Sequence, residues 1–165
     1  MAKLYIMCGP AFSGKTTLSK LIAQKTGAKR FAFDEMWVEK EEAGTTLGGA
    51  AGWRSVRAAA LDEILETLNA GVSAVYDENN PKREHRKEFA DAAQRVGAQA
   101  VVVFMDIPLD TIRSRRLANL TSQERHDVDD ENFDKVLSDL ESPGDDELTL
   151  AFTPDTELEV FLNEL

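Results

Sequence analysis

Gly9-Pro10-Ala11-Phe12-Ser13-Gly14-Lys15-Thr16 is the stretch on which the reading turns. It meets the pattern G-x-x-x-x-G-K-[ST] at every fixed position. The pattern requires a strand before it and a helix after it. Lys3–Cys8 (KLYIMC) is a short apolar run that predicts a buried strand, and Leu18, Leu21 and Ile22 recur at helical spacing until Gly27 stops them. Gly9 and Gly14 lack a Cβ, so the backbone can curl and aim its N–H groups at phosphate oxygens. The helix beginning near Lys15 offers its positive end to the same anion. Lys15 brings a mobile point charge to the β- and γ-phosphates, and the Thr16 hydroxyl is a ligand for magnesium. Gly9, Ser13, Gly14, Lys15, Thr16 and Thr17 are therefore the expected ATP-binding residues.

Outward from this loop, strand-like and helix-like patterns alternate. Arg30–Phe33 predicts a second strand stopping at Asp34, and the glycine-rich Gly44–Gly52 predicts a mobile loop. A helix is expected from about Trp53 to Asn69, then a strand Val72–Tyr76 ending at Asp77, then a helix carrying Phe89, Ala92, Ala93 and Val96. Ala100–Met105 is a continuous apolar strand pattern. Leu109–Leu120 and Asp129–Leu140 read as helices, Leu148–Phe152 as a fifth strand, and Leu158, Phe161, Leu162 and Leu165 as a closing helix. Such alternation predicts a parallel sheet covered on both faces, with ligands beyond the carboxyl ends of its strands. Gly9, Asp34, Asp77 and Asp106 all fall at such ends.

With 165 residues the chain suits one domain, and 42% hydrophobic against 30% charged residues is an ordinary globular balance. Its apolar runs are too short to span a membrane, and Gly9–Pro10 interrupts the first too early for a secretory signal. One cysteine, Cys8, excludes an intramolecular disulfide and fits a reducing cytoplasmic setting. The net charge is −11, and most of it lies in Thr121–Glu147, which holds eleven acids against Arg125 and Lys135. That balance argues against extended nucleic acid as a partner.

The sequence resembles the small P-loop kinases grouped around the 5′-hydroxyl polynucleotide kinase domain, the zeta-toxin sugar-nucleotide kinases and their AAA-type relatives. GPAFSGKTT, FAFDEM, AVYDENNPKREHRKEF and VVVFMDIPLDTIRSRR carry the resemblance in the family's order. It implies a P-loop NTPase three-layer α/β sandwich of about five parallel strands, spanning 1–165 with a helical lid near 113–131. It also implies ATP- and magnesium-dependent transfer onto a hydroxyl. In the relatives, an aspartate in the position of Asp34 accepts the hydroxyl proton. Glu35 is a weaker candidate. Asp77 resembles the strand-end acid that holds magnesium with Thr16, and Asp106 sits at a position that is not catalytic in the relatives. Arg116 is the expected lid cation, with Arg125 as a second donor and Arg113 and Arg115 beside it.

Several residues keep two readings. Asn79 and Asn80 fit either acceptor positioning or an Asn-Pro turn. Arg83 and Arg86 fit a solvated helix face or substrate phosphate. Trp37 and Trp53 fit a pocket wall or packing, and His85 and His126 read as surface histidines. Where polynucleotide kinases carry an arginine three residues after the catalytic aspartate, this chain has Trp37, which with the acidity favours a small-molecule acceptor. The rival functions are an ATPase switch and a nucleotide-binding module without transfer chemistry. The chain has no N-K-x-D motif, which argues against a GTPase.

Overall fold

The computed structural model describes residues 1–122 and 128–165. Five parallel strands form one sheet in the order β2-β3-β1-β4-β5: β1 is Lys3–Cys8, β2 Lys29–Ala32, β3 Ala74–Asp77, β4 Gln99–Met105 and β5 Thr149–Phe152. The helices are α1 (Lys15–Thr26), α2 (Phe33–Glu42), α3 (Gly49–Asn69), α4 (Arg83–Arg95), α5 (Leu109–Ser122), α6 (Asp130–Asp139) and α7 (Leu158–Asn163). Among the described residues, no helix is long and apolar enough to cross a membrane.

The two-residue period of β1 divides the core. Leu4 and Ile6 pack with Val56, Ala60 and Ile64 of α3 and Phe89 of α4, while Tyr5 and Met7 pack with Leu18 and Ile22 of α1 and Phe161 of α7. Every β1 residue after Lys3 is therefore buried, as a central strand covered on both faces must be. The sheet order places β3 directly beside β1, so the ends of β1 and β3 open on the same crevice.

Three local expectations are corrected. The second strand ends at Ala32, and Phe33–Glu42 is a helix the strand–loop reading missed. Asp34 therefore sits in the first turn of α2, where a carboxylate suits the positive helix end. Residues 49–52 are not loop: Gly52 N–H donates to Gly48 O at 3.0 Å, and α3 starts at Gly49. The third strand is Ala74–Asp77, so Asp77 is its last paired residue, opposite Ala32.

Candidate active site

The loop Gly9–Gly14 owes its shape to residues that fit nowhere else. A Cβ on Gly9, at φ +151°, would stand 2.8 Å from the Met105 Cβ. Gly14 takes φ +102° immediately before α1, and Phe12 holds a left-handed φ of 64° with its ring buried. Such a conformation costs a bulky residue about 1–2 kcal/mol. Packing against Phe133 of α6, at 6.4 Å between ring centroids, and against Ile112 of α5 offsets it.

Below the loop, the turn after β3 acts as its footing. Gly9 N–H donates to Asn79 O at 3.0 Å, and fully buried Asn80 donates from Nδ2 to Met7 O at 3.0 Å. Asn80, at φ 43°, also accepts from Arg57 Nη1 at 3.1 Å. Arg86 is neither solvated nor turned to a substrate. Its side chain is fully buried, paired with Glu147 at 2.7 and 3.0 Å, and it donates to Asn80 O and Pro81 O. Arg83 is the solvated member, exposed and paired with Asp146.

One cleft of about 1290 Å³ connects the candidate residues. Lys15, Thr16 and Thr17 line it at the loop, Asp77, Glu78 and Asn79 at the end of β3, and Asp34 at the start of α2. Lys15 is buried and its Nζ donates to Pro10 O at 2.8 Å. Burial pushes its ammonium pKa down, while Asp77, Glu78 and Asp34 pull it back up. A phosphate at the loop would favour the charged form of this lysine. Asp106, at the end of β4, does not line the cleft.

Asp77 accepts on Oδ2 from Ser19 Oγ at 2.8 Å and from Arg30 Nη2 at 2.6 Å. Neither bond uses Oδ1, and the Thr16 hydroxyl is exposed on the same cleft. A carboxylate oxygen and a hydroxyl beside a phosphate-binding loop are the hard oxygen donors that magnesium takes, directly or through water. Glu78 was not singled out from sequence. Burial raises its carboxyl pKa, and Arg57 opposes that from 3.2 Å. Arg57 also binds Glu88 and His85 O, so one guanidinium joins α3, the end of β3 and α4.

The lid arginines divide by helix phase. Arg115 Nη1 donates to Phe12 O at 3.2 Å and Ser13 O at 3.1 Å, which places it on the loop. Arg116, the expected lid cation, instead donates to Val128 O and Asp130 Oδ1, both at 2.7 Å, and lies 4.4 Å over the Phe133 ring. Arg125 and His126 lie outside the described residues. A second cavity of about 530 Å³ opens on the other side of the loop, between Arg115 and Asn119 of α5 and the turn Thr153–Thr156 after β5. Sequence reasoning passed over that turn, although it lies beyond a strand's carboxyl end, where ligands of such sheets bind.

The model of the AAA domain family matches residues 4–143. The chain belongs to this family. Its AAA domain has the P-loop kinase-like fold, and solved structures extend the likeness. Kti12 from Chaetomium thermophilum, solved with ADP-AlF3, superposes with a TM-score of 0.79 at 15% identity, covering 98% of this chain and 94% of that one. A sugar kinase from Janibacter sp. HTCC2649 gives 0.71 at 20% identity over 99% and 91%. The APS kinase CysC of Mycobacterium tuberculosis, in complex with AMPPNP and APS, gives 0.64 at 18% over 99% and 94%. No curated protein matches the sequence.

Proposed function

We propose that this AAA domain is an ATP-dependent phosphotransferase acting on a hydroxyl of a small molecule, with Asp34 as the base. The observation that carries the reading is the continuity of the cleft. It runs from the Lys15 loop, past Asp34, into a chamber beyond α2 large enough for an acceptor. The likeness to kinases of small molecules supports the same reading, as does Asp34's exposure on the cleft, where its carboxylate can orient a hydroxyl. Kinship with the polynucleotide kinase and zeta-toxin branch is part of this reading, supported by FAFDEM and YDENNP at adjacent strand ends.

In this mechanism the triphosphate lies in the loop and the adenine of ATP occupies the second cavity beside Arg115. Lys15 exchanges Pro10 O for phosphate oxygen. Thr16 and Asp77 would hold magnesium, which when bound would neutralise charge on the phosphates. The acceptor oxygen forms a bond to the γ-phosphorus, the bond from phosphorus to the β–γ bridging oxygen breaks, and ADP leaves with that electron pair. Asp34 takes the hydroxyl proton. The described parts of 113–131, in α5 and at the start of α6, act as the lid, and among the described residues Arg115 is its cation bonded to the loop. Arg116 reaches phosphate only by leaving Val128 O and Asp130.

The test is transfer of labelled γ-phosphate from ATP over nucleosides, oligonucleotides, sugar nucleotides and aminocyclitols. Labelled product from a small acceptor is expected. Release of inorganic phosphate alone, at one rate with or without acceptors, would instead assign an ATPase.

A further inference from the structure

Both tryptophans of the chain line the cleft beyond Asp34, on different helices. Trp37 of α2 has a seat made for it. A Cβ on Gly52 would stand 3.0 Å from the Trp37 Cη2, so α3 gives up a side chain there and lets the indole lie on its backbone, one residue before Trp53. Glycine inside a helix is a costly choice, and Gly52 is buried. Phe33 packs beside Trp37 at 6.0 Å between centroids. Trp53 is fixed by His85 at 5.1 Å and by the Arg57 guanidinium at 5.1 Å. The rings of Phe33, Trp37, Trp53 and His85 thus line one chamber, and His85 Nδ1 is buried there without a hydrogen-bond partner.

The charges around these rings do not follow the acidic chain. Glu78 is taken by Arg57, and Asp139 stands 3.8 Å from Lys82. Arg54 and Lys135 line the cleft with no ion-pair partner among the described residues, and Asp34 is the one acid of its lining likewise without an ion-pair partner there. A polyol buried here would need a partner for each hydroxyl. Of the cleft's three amides, Asn132 already donates to Asp129, while Gln24 and Asn79 stand on α1 and on the turn after β3. Ring walls with spare cations suit a different ligand.

We infer that the acceptor is a planar aromatic compound carrying an anionic group, its ring held by Trp37 and Trp53 and its anion met by Arg54 and Lys135. This rests on the phosphotransferase reading and specifies its substrate class. A nucleoside monophosphate and a hydroxylated aromatic acid both have this chemistry.

Trp37 and Trp53 being the chain's only tryptophans, intrinsic tryptophan fluorescence reports this chamber. With the nucleotide site saturated by ADP and magnesium, the protein is titrated with guanosine 3′-monophosphate, 4-(hydroxymethyl)benzoate, benzyl alcohol and gluconate. At least one aromatic anion should quench saturably and bind about ten-fold tighter than gluconate, the scale of one ring stacked on an aromatic side chain, and about ten-fold tighter than benzyl alcohol, the scale of one charged contact. Which of the two binds identifies the source. Arg54→Ala with Lys135→Ala, both on exposed residues, should erase that preference over benzyl alcohol, and Gly52→Ala should weaken whichever aromatic anion binds. Gluconate binding as tightly as the aromatic anions, or no saturable quenching by either, overturns the inference. Phosphate transfer to the same probes is scored separately. Quenching without any transfer refutes the kinase reading and leaves the chamber, whereas gluconate phosphorylated without quenching refutes the chamber and leaves the kinase.

Discussion

Arg86→Met removes the charge from the footing of the phosphate loop. The wild-type guanidinium is fully buried and makes two bonds to Glu147, at 2.7 and 3.0 Å, and two to Asn80 O and Pro81 O, at 3.1 and 3.0 Å. Methionine keeps much of the apolar stem, so the loss is electrostatic. Glu147, 12% exposed, would keep the Gly144 N–H at 3.0 Å and the weaker pull of the exposed Arg83, but no bonded counter-charge. Breaking a buried pair from one side costs about 3–5 kcal/mol. That is a large share of the roughly 5–15 kcal/mol holding a typical domain, and it corresponds to a drop of about 10 °C in Tm at this size. Urea unfolding followed by circular dichroism measures it. The pH dependence gives a second reading. Burial opposes the charge on Glu147, yet its bonds from Arg86 and the Gly144 N–H hold its carboxyl below the ordinary value. A depressed carboxyl stabilises above the unfolded value of 4.5 and loses that contribution as pH falls through the lower folded one. The gap between wild type and variant should therefore narrow in acid. Adding Glu147→Leu to Arg86→Met removes the stranded carboxylate and should recover stability. A single-variant loss below about 1 kcal/mol, the worth of one ordinary hydrogen bond, or a double variant weaker than the single, would refute the argument.

Three further outcomes follow from the site. Lys15→Ala should stay folded by circular dichroism and lower ATP-dependent turnover about 10²–10³-fold, the loss typical of one preorganised donor; wild-type turnover would contradict the loop's role. Arg115→Ala should raise the ATP KM about ten-fold, as for a lost charged contact, and more than Arg116→Ala does, because Arg115 reaches Phe12 O and Ser13 O while Arg116 is spent on Val128 O and Asp130; steady-state kinetics decide the order. His85 should titrate below its ordinary 6.5 in proton NMR, because burial and then Arg57 disfavour its charged form. It then contributes stability at neutral pH that fades as pH drops below 6.5, and a titration at or above 6.5 would contradict its placement.

What could be read from sequence was local. Gly9 to Thr16 declares itself because each fixed residue answers to one phosphate-facing requirement within eight positions, and the strands declared themselves by apolar runs. Helix α2 was hidden because Phe33, Met36 and Trp37 follow a strand without a break, so the strand was carried to Phe33 and the residues up to the Gly44 loop were given no element. The lone acid at Asp34 was visible, but its helix was not. Arg86 was misplaced because its partner, Glu147, lies 61 residues away and no local pattern couples them. Whether Arg115 or Arg116 rests on the loop depends on a rotation of about 100° around α5, which a spacing does not show. The cavity beside Thr153–Thr156 and the ring chamber draw on residues from four or more elements, and only the sheet order brings them together.

The central claim is that Asp34 takes the acceptor's proton while the loop holds ATP. It is tested most directly by Asp34→Asn in single-turnover transfer of γ-phosphate to whichever acceptor the panel identifies, with the ATP Kd measured on the same preparation. An unchanged Kd with transfer slowed about 10²–10⁴-fold is expected, the range for loss of a general base. Normal transfer by a folded, ATP-saturated Asp34→Asn protein would contradict it.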